Sequence, residues 1–384
     1  MSTMIDDPLL TADQRLMRAG VLALLADVLP RERLRALDAA GEFPFEAYEA
    51  LAKAGWMALP YEPRYGGAGG SFKDFAVFIE TVAYHSAQMA SAYLATVLYG
   101  GMQVQHGASE ALRARMIPAI IRGETRMALC LTEPDAGSDA ASIRAAAIVD
   151  GDDYLITGQK VFITCAHVAD HLVVAARTDR EAGHRGISLF LVDARSPGVE
   201  IRPMLMLGRR MIHPNEVFFD RVRVPAANLL GGLNGGWQRL MHGLNLERLC
   251  LAAAASGNIQ RIIHYSRDYA TQRRQFGKPI SEHQVIAHQF ADMQIMAETT
   301  RVLTYRVADL LDAGLQPTME TAVAKVAATE NNCRCADMGM QIMGGAGYAM
   351  EHDMQMFFRD ARVGPIGGGT SEIMRTVIAR QMGL

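Results

Sequence analysis

Glu247 is a candidate for proton transfer, because it lies in a helical segment whose neighbouring positions are apolar. A carboxylate in such surroundings loses hydration, which raises its pKa and suits it to act as a general base. The residues three and four positions away from Glu247 are Gly243, Leu244, Cys250 and Leu251. Arg248 is adjacent, so a solvated or structural ion pair is the alternative interpretation. Because consecutive helical residues are about 100° apart, Arg248 cannot be assumed to neutralise Glu247.

The segment LTEPDAGSD, from Leu131 to Asp139, predicts an exposed loop that contacts a polar or anionic group. After Leu131 it contains a proline, acidic residues and small residues, but no large hydrophobic side chain. Such a loop presents backbone N–H groups together with the hydroxyl of Ser138.

Two common nucleotide-binding motifs are missing from the sequence. Gly277-Lys278 is followed by Pro279, where a Walker A motif requires Ser or Thr. The glycines near Gly344 do not follow a strand inside a βαβ unit, which argues against a Rossmann site. A nucleotide cofactor must therefore be held in another way.

The composition indicates an ordinary globular protein of two or three domains, with 384 residues of which 21% are charged. The net charge of −3 gives no reason to expect binding to nucleic acid or an anionic membrane. Five cysteines without a CxxC pair argue against a disulfide framework or a zinc site, so we expect no metal. No apolar run reaches the roughly 18 residues of a membrane span, and no secretory signal is evident. These features predict a soluble, cytoplasmic protein.

The periodicity of apolar residues divides the chain into three regions and predicts an α+β multidomain protein. Helical spacing dominates residues 1–124, which predicts an all-α N-terminal domain. Short segments rich in Val, Ile and Phe in residues 125–235 predict an antiparallel β-barrel or sandwich, with a tight turn at Asp150-Gly151. Helical spacing returns in 236–384 and predicts a C-terminal four-helix bundle. The predicted strands are Met127 to Leu131, Tyr154 to Thr164, Leu172 to Arg177, Ile187 to Val192 and Val217 to Val224.

Five motif blocks, in order from about Thr11 to Arg380, closely resemble the acyl-CoA dehydrogenase family. The resemblance implies FAD, with its isoalloxazine ring between the β domain and the helix bundle. Thr hydroxyls and backbone N–H groups suit the charge that develops on a reduced flavin. On composition alone, Phe162 is equally an ordinary core aromatic and Thr164 a strand-end threonine. The positions that match cofactor contacts in this region are Leu129, Leu131, Thr132, Ser138, Phe162, Ile163 and Thr164.

Arg273 and Phe276, in QRRQFGKP, match the RxxFG motif of the family. The resemblance implies that Arg273 contacts the FAD pyrophosphate of a neighbouring subunit, and a planar guanidinium suits phosphate. A solvated helix end is the alternative for this arginine pair. Glu372 stands where the family often has Gln. The other matching cofactor positions are Gln284, Gln341, Gly344, Gly345, Thr370 and Glu372.

The resemblance also concerns the catalytic base, because many members carry a Glu just before the Gly-Thr of the C-terminal loop. Here that position is Gly368, which cannot remove a proton. Isovaleryl-type members carry the Glu in a LERL-like helix segment, and NLERL places Glu247 there. The resemblance therefore implies that Glu247 removes the proton α to a thioester while hydride leaves the β carbon. The backbone N–H of Gly368 would polarise the thioester carbonyl.

The acyl-CoA contacts implied by the resemblance are Ser138, Asn245, Arg248 and Gly368. Acyl-chain selectivity would depend on the helix near residues 87–98, where Met89, Tyr93 and Leu94 are bulky enough to shorten the pocket. An ordinary apolar core is the alternative for these three residues. We expect a short, branched or modified acyl chain.

The leading interpretation is dehydrogenation of an acyl-CoA to the trans-2-enoyl-CoA in fatty acid or amino acid catabolism. Electrons would pass to an electron-transfer flavoprotein, and the resemblance implies a homotetramer. Three alternatives stay open: an acyl group on an acyl carrier protein, enoyl-CoA reduction, and an oxygen-using flavin oxidase or monooxygenase. Flavin-binding relatives associated with nucleic acid are a further class, but the chain has no added basic region.

Overall fold

Helices fill the N-terminal region of the computed structural model, which describes residues 7–384. The first helix begins at a capping box, in which the Thr11 hydroxyl accepts from the Gln14 N–H and the Gln14 side chain accepts from the Thr11 N–H. Residues 1–6 of the predicted first domain lie outside the described residues. The helices are α1 Ala12–Val28, α2 Arg31–Ala40, α3 Phe45–Lys53, α4 Phe72–His85, α5 Ala87–Leu94, α6 Met102–Gly107 and α7 Glu110–Ile121.

A π-helix, Ala95–Gly101, connects α5 to α6. Its two terminal glycines allow close packing, because a Cβ atom on Gly100 would collide with Met127 and one on Gly101 with the Tyr61 hydroxyl. The Tyr61 hydroxyl donates to the carbonyl of Val97 at 2.8 Å and fastens this turn to the domain. π-Helical turns occur frequently at functional sites.

An eight-stranded sheet follows, with the order β6-β7-β3-β2-β4-β5-β8 and β1 beside β4. Most neighbours are antiparallel, but β1 pairs with β4 in parallel. Gly151, at φ +66°, lies in the predicted turn between β2 and β3. The strands are β1 Met127–Cys130, β2 Ala146–Asp150, β3 Asp153–Thr164, β4 His171–Arg177, β5 Ile187–Asp193, β6 Val199–Pro203, β7 Pro214–Pro225 and β8 Leu229–Leu230.

Both faces of the central strand β4 are buried. Val173 and Ala175 pack in the large core shared with the helices, whereas Leu172, Val174 and Ala176 pack in a second core within the β region. Burial on both faces explains why this strand is a continuous hydrophobic run rather than an alternating one.

The C-terminal region is built on a helix of 37 residues, α8 Gly236–Gln272. Gly257 allows this helix to cross α4 closely, because a Cβ atom there would collide with the carbonyl of Glu80. The remaining elements are the hairpin β9 Arg274–Gln275 and β10 Lys278–Pro279, and the helices α9 Gln284–Asp312, α10 Thr318–Met343, α11 Gly345–Tyr348, α12 Met354–Ala361 and α13 Ser371–Gln381.

The predicted fold class is confirmed, with helical regions on either side of a sheet-rich middle region. The helices α2 and α6 and the short strands β2, β6 and β8 were not predicted. The RERLRALDAA sequence of α2 is dominated by charged and small residues, and β8 has only two residues. Within residues 7–384, no helix is long and apolar enough to cross a membrane. The same residues contain no cluster of three His, Cys, Asp or Glu side chains placed to hold a metal ion.

Candidate active site

Glu247 of α8 faces the glycine loop that precedes α13. A Cβ atom on Gly368 would lie 3.2 Å from Oε1 of Glu247 and would collide with Cδ1 of Leu251. Gly368 also has φ +64°, a backbone conformation that side-chain-bearing residues rarely adopt. The fold therefore brings the two predicted catalytic positions together, and a side chain at Gly368 would require Leu251 to move.

The surroundings of Glu247 make its carboxylate a stronger base than a solvated one. Burial raises its pKa above the ordinary value, and this effect exceeds the opposing influences of Arg248, Tyr99 and Lys325. Arg248 lowers the pKa through its charge, and the Tyr99 hydroxyl does so through a hydrogen bond. The predicted loss of hydration at Glu247 is confirmed, but the expectation that no cation accompanies it is wrong, because Arg248 and Lys325 both act on its charge.

Lys325, on α10, is the second charged group at this site. Its side chain is fully buried, and its ammonium donates a hydrogen bond to the carbonyl of Gly369 at 2.6 Å. Burial lowers the pKa of Lys325 to about 8, while the charge of Glu247 acts in the opposite direction. Lys325 was not predicted as a site residue, because its position in an apolar helix stripe gives no indication of the loop that it meets.

The glycine loop is held by three further hydrogen bonds. The N–H of Gly367 donates to Val363 and that of Ser371 to Pro365, each at 2.9 Å. The hydroxyl of Thr370 caps α13 by accepting from the N–H of Ile373 at 3.2 Å. In the described part of the chain, the Gly368 N–H has no hydrogen-bond partner and is available as a donor.

A buried ion pair supports the Leu131–Asp139 loop. The ammonium of Lys160 donates to Oε1 of Glu133 at 2.7 Å and to the carbonyl of Leu131 at 3.0 Å. The Glu133 carboxylate also accepts the N–H groups of Arg144 and Ala145 at 2.6 and 2.9 Å. This network fixes the loop backbone, whereas Ser138 is exposed, as predicted.

The residues predicted to surround a flavin ring differ in exposure. Phe162 is 54% exposed, at φ +60°, although it lies near the end of strand β3, which is otherwise largely covered. Leu129, Leu131, Thr132 and Thr164 are half-buried. Ile163 is buried in the β core, so only its backbone is available to a ligand. An exposed aromatic ring beside hydroxyls and backbone groups fits one face and edge of an isoalloxazine.

The other predicted cofactor residues lie on the surface of the single chain. Phe276 is 94% exposed at φ +51°, beside the exposed Arg273. Gly344, at φ +60°, has open space where a Cβ atom would lie. Such exposure fits residues that contact a ligand held partly by another copy of the chain. Gln284, Gln341, Gly345 and Glu372 are also exposed, and Thr370 is half-buried.

The predicted acyl-CoA residues form part of the same region. Asn245 and Arg248 are half-buried on α8, and Nε of Arg248 is shielded from solvent without a hydrogen-bond partner. An unpaired buried donor is costly, so this nitrogen is available to a polar ligand. A Cβ atom on Gly369 would lie 3.9 Å from Nη2 of Arg248, so this guanidinium borders the glycine loop.

The three residues considered for chain-length selectivity lie where the alternative interpretation placed them, in the apolar core. Met89, Tyr93 and Leu94 are fully buried in the main core, and the Tyr93 hydroxyl donates to the carbonyl of Trp56 at 2.8 Å. Tyr99 is the half-buried aromatic that contacts Glu247 instead. The sequence prediction missed it because a regular helix does not anticipate the π-helical turn that carries it.

Comparison with protein families is decisive for the class of the protein. Models of the acyl-CoA dehydrogenase N-terminal, middle and C-terminal domains match residues 11–124, 128–222 and 234–383. The chain therefore belongs to the acyl-CoA dehydrogenase family, and it is an FAD-dependent oxidoreductase.

Individual relatives cover nearly the whole chain. The probable acyl-CoA dehydrogenase YngJ of Bacillus subtilis is 36% identical over 348 residues, covering 90% of this chain and 92% of the relative. The caffeyl-CoA reductase-Etf complex subunit CarC of Acetobacterium woodii is 36% identical over 354 residues, covering 91% and 93%. A glutaryl-coenzyme A dehydrogenase in complex with glutaryl-CoA has 30% identity and a TM-score of 0.94, covering 97% of this chain and 96% of its own.

Proposed function

We propose that this enzyme catalyses α,β-dehydrogenation of an acyl-CoA thioester to the trans-2-enoyl-CoA, with Glu247 as the base. The observation that carries the proposal is the position of Oε1 of Glu247, 3.2 Å from where a Cβ atom of Gly368 would lie. The helix carboxylate thus approaches the position where many family members have their loop base.

Each step that the chain itself performs has a residue suited to it. Glu247 accepts the proton from the carbon α to the thioester, and its raised pKa makes it an effective base near neutrality. The unpartnered N–H of Gly368 donates to the thioester carbonyl, where negative charge develops as the α proton leaves. FAD, when bound, supplies the acceptor for the hydride that leaves the β carbon.

The surrounding residues would bind and orient the flavin and the thioester substrate. Phe162, Thr164 and Thr132 would hold the flavin ring, and the Leu131–Asp139 loop would present its backbone and Ser138 to the cofactor and thioester arm. Arg248 and Asn245 would line the thioester path, since the buried Nε of Arg248 needs a partner. The half-buried ring of Tyr99 would limit the acyl pocket and favour a short, branched or modified acyl group.

The proposal extends to assembly and to the electron acceptor. Exposed residues at the predicted cofactor positions, above all Phe276 at 94%, support a homotetramer in which neighbouring chains complete each FAD site. An electron-transfer flavoprotein is the proposed acceptor, because the relative CarC is named as a subunit of an Etf complex. The regions 1–124, 125–235 and 236–384 are proposed as the three domains, and the cytoplasm as the location.

Enoyl-CoA reduction is the second candidate, favoured by the raised pKa of Glu247 and by the reductase named among the relatives. A carboxyl group with a raised pKa holds its proton to higher pH than a solvated one, so it is better suited to return a proton to the α carbon. The same residues serve both directions, and only the redox partner differs.

A panel of acyl-CoAs mixed anaerobically with the FAD-loaded protein tests the proposal. We expect one class of short or branched acyl-CoA to bleach the flavin absorbance and yield the 2-enoyl product. If only thioesters of acyl carrier protein bleach the flavin, the substrate is an acyl group on that carrier rather than on CoA. Rapid reoxidation by air with peroxide release would indicate an oxidase. No bleaching by any thioester, together with oxidation of reduced flavin by an enoyl-CoA, would favour the reductase.

A further inference from the structure

Lys325 is a charged residue buried at the active site to which the function proposed above assigns no role. Its side chain is 0% exposed and reaches from α10 to the glycine loop. Charged lysines are almost never fully buried unless they are paired. Its described hydrogen-bond partner is not a carboxylate but the Gly369 carbonyl, at 2.6 Å.

We propose that Lys325 is a positioning residue, which fixes the glycine loop so that the Gly368 N–H faces the thioester and whose positive charge also favours the ionised form of Glu247. The proposal rests on the function proposed above, in which Glu247 is the base. Lys325 touches neither the reacting carbon nor the cofactor in this account, and it acts through the loop and through its charge.

The loop needs such an anchor because of its composition. Gly367, Gly368 and Gly369 are consecutive, and glycine has the largest conformational freedom to lose on folding. Gly368 and Gly369 both have positive φ, +64° and +88°. The Lys325 ammonium holds the carbonyl of Gly369, two peptide units beyond the Gly368 N–H, and thereby restricts the movement of the loop that carries this donor.

The charges around the two groups support the second part of the proposal. Glu247 is influenced by Arg248 on its own helix, by Tyr99 on the π-helix and by Lys325 on α10. Arg248 is next to Glu247 in the chain, and its guanidinium borders Gly369. Lys325 supplies a second positive charge, from another helix.

The groups that influence Lys325 are Glu247, Arg248, Glu330 and Glu372. Burial lowers the pKa of Lys325 to about 8, so the ammonium is charged at neutral pH and loses its proton as pH rises through that range. Its electrostatic support for ionised Glu247 should disappear over the same interval.

Proton exchange at the α carbon measures this role without electron transfer. An acyl-CoA analogue with sulfur at the β position has no β hydride to lose, yet its α hydrogens can exchange with D2O. Mass spectrometry would follow this exchange in the wild-type enzyme, Lys325→Met and Lys325→Arg, each with its FAD content measured. A tight-binding analogue titration would report affinity separately.

We expect Lys325→Met to slow exchange about 10–100-fold, as misplacement of a catalytic donor does, and to move the acid limb of the pH profile to higher pH. Lys325→Arg keeps a positive charge and a donor, so it should keep the acid limb and exchange faster than Lys325→Met. An exchange rate and an acid limb in Lys325→Met equal to those of the wild type would overturn the proposal. If Lys325→Met does not fold, Lys325→Gln takes its place, and the same wild-type result in that variant would overturn the proposal. Normal exchange in Glu247→Gln would instead reject the proposed base.

Discussion

The hydroxyl of Tyr99, on the π-helix, lies beside the carboxylate of Glu247 on α8. This neighbouring donor favours the ionised carboxylate and lowers the pKa of Glu247, in opposition to burial. Under the proposed function, the π-helical turn would therefore contribute to the chemistry as well as to the wall of the acyl pocket.

Replacement of this hydroxyl should change the pH dependence before it changes the maximal rate. In Tyr99→Phe we expect the acid limb of flavin reduction to shift to higher pH, because the carboxylate loses a donor. The plateau rate at high pH should stay close to the wild-type value. Stopped-flow reduction across pH would check this, with Tyr93→Phe as the control, since its hydroxyl bonds to Trp56 rather than to Glu247. An unchanged acid limb would contradict the assigned bond.

Gly368→Ala should impair both stability and turnover. A side chain at φ +64° costs about 1–2 kcal/mol, and the added Cβ would also collide with Leu251. Gly20→Ala is the matched control, because Gly20 lies exposed in α1 with open space around it. That change should stabilise the protein by about 0.5–1 kcal/mol. Thermal unfolding and flavin reduction would compare them, and equal effects would count against the assigned loop geometry.

The buried Lys160–Glu133 pair should be essential for the flavin-side loop. Lys160→Met leaves the Glu133 carboxylate without its cation, and removal of one partner from a buried pair costs about 3–5 kcal/mol. We expect a lower free energy of unfolding and weaker FAD binding, measured by denaturant titration and flavin fluorescence. Arg144→Met is the control, because its ion pair with Asp135 is exposed. Similar losses in the two variants would exclude a special role for the buried pair.

Stability should fall on mild acidification because several histidines are buried in neutral form. Burial lowers the pKa of His85, His167 and His264 to about 4 each. The unfolded chain binds protons at these residues below about pH 6.5, so stability present above that pH is lost as pH falls toward 4. His85→Gln should flatten this dependence. Melting temperatures from pH 7.5 to pH 5 would measure it, and a flat wild-type profile would contradict it.

The local sequence was sufficient to predict some features of the site but not the others. The apolar neighbours of Glu247 on its own helix are a one-dimensional pattern, and they predicted the direction in which burial shifts its pKa. The exposed Ser138 loop likewise follows from composition. The positions of Lys325 and Tyr99 at the site depend on which helices meet across the core. The helical periodicity of the sequence gives no information about these contacts.

The fold shows the same division. The change from helical to strand periodicity predicted the sheet-rich region, and the turn at Gly151 followed from glycine's access to positive φ. The parallel pairing of β1 with β4 joins residues 127–130 to 171–174. Such pairing depends on long-range packing rather than on a local turn, so no short segment signals it.

The most direct test of the account compares wild type, Glu247→Gln and Glu247→Asp in a single anaerobic turnover with the best acyl-CoA. We expect Glu247→Gln to retain FAD and thioester binding but to lose roughly 10²–10⁴ in the rate of flavin reduction. Glu247→Asp should retain part of the rate, because it keeps a carboxylate on a side chain that is one methylene group shorter. A Glu247→Gln enzyme that reduces its flavin at the wild-type rate would contradict the central claim.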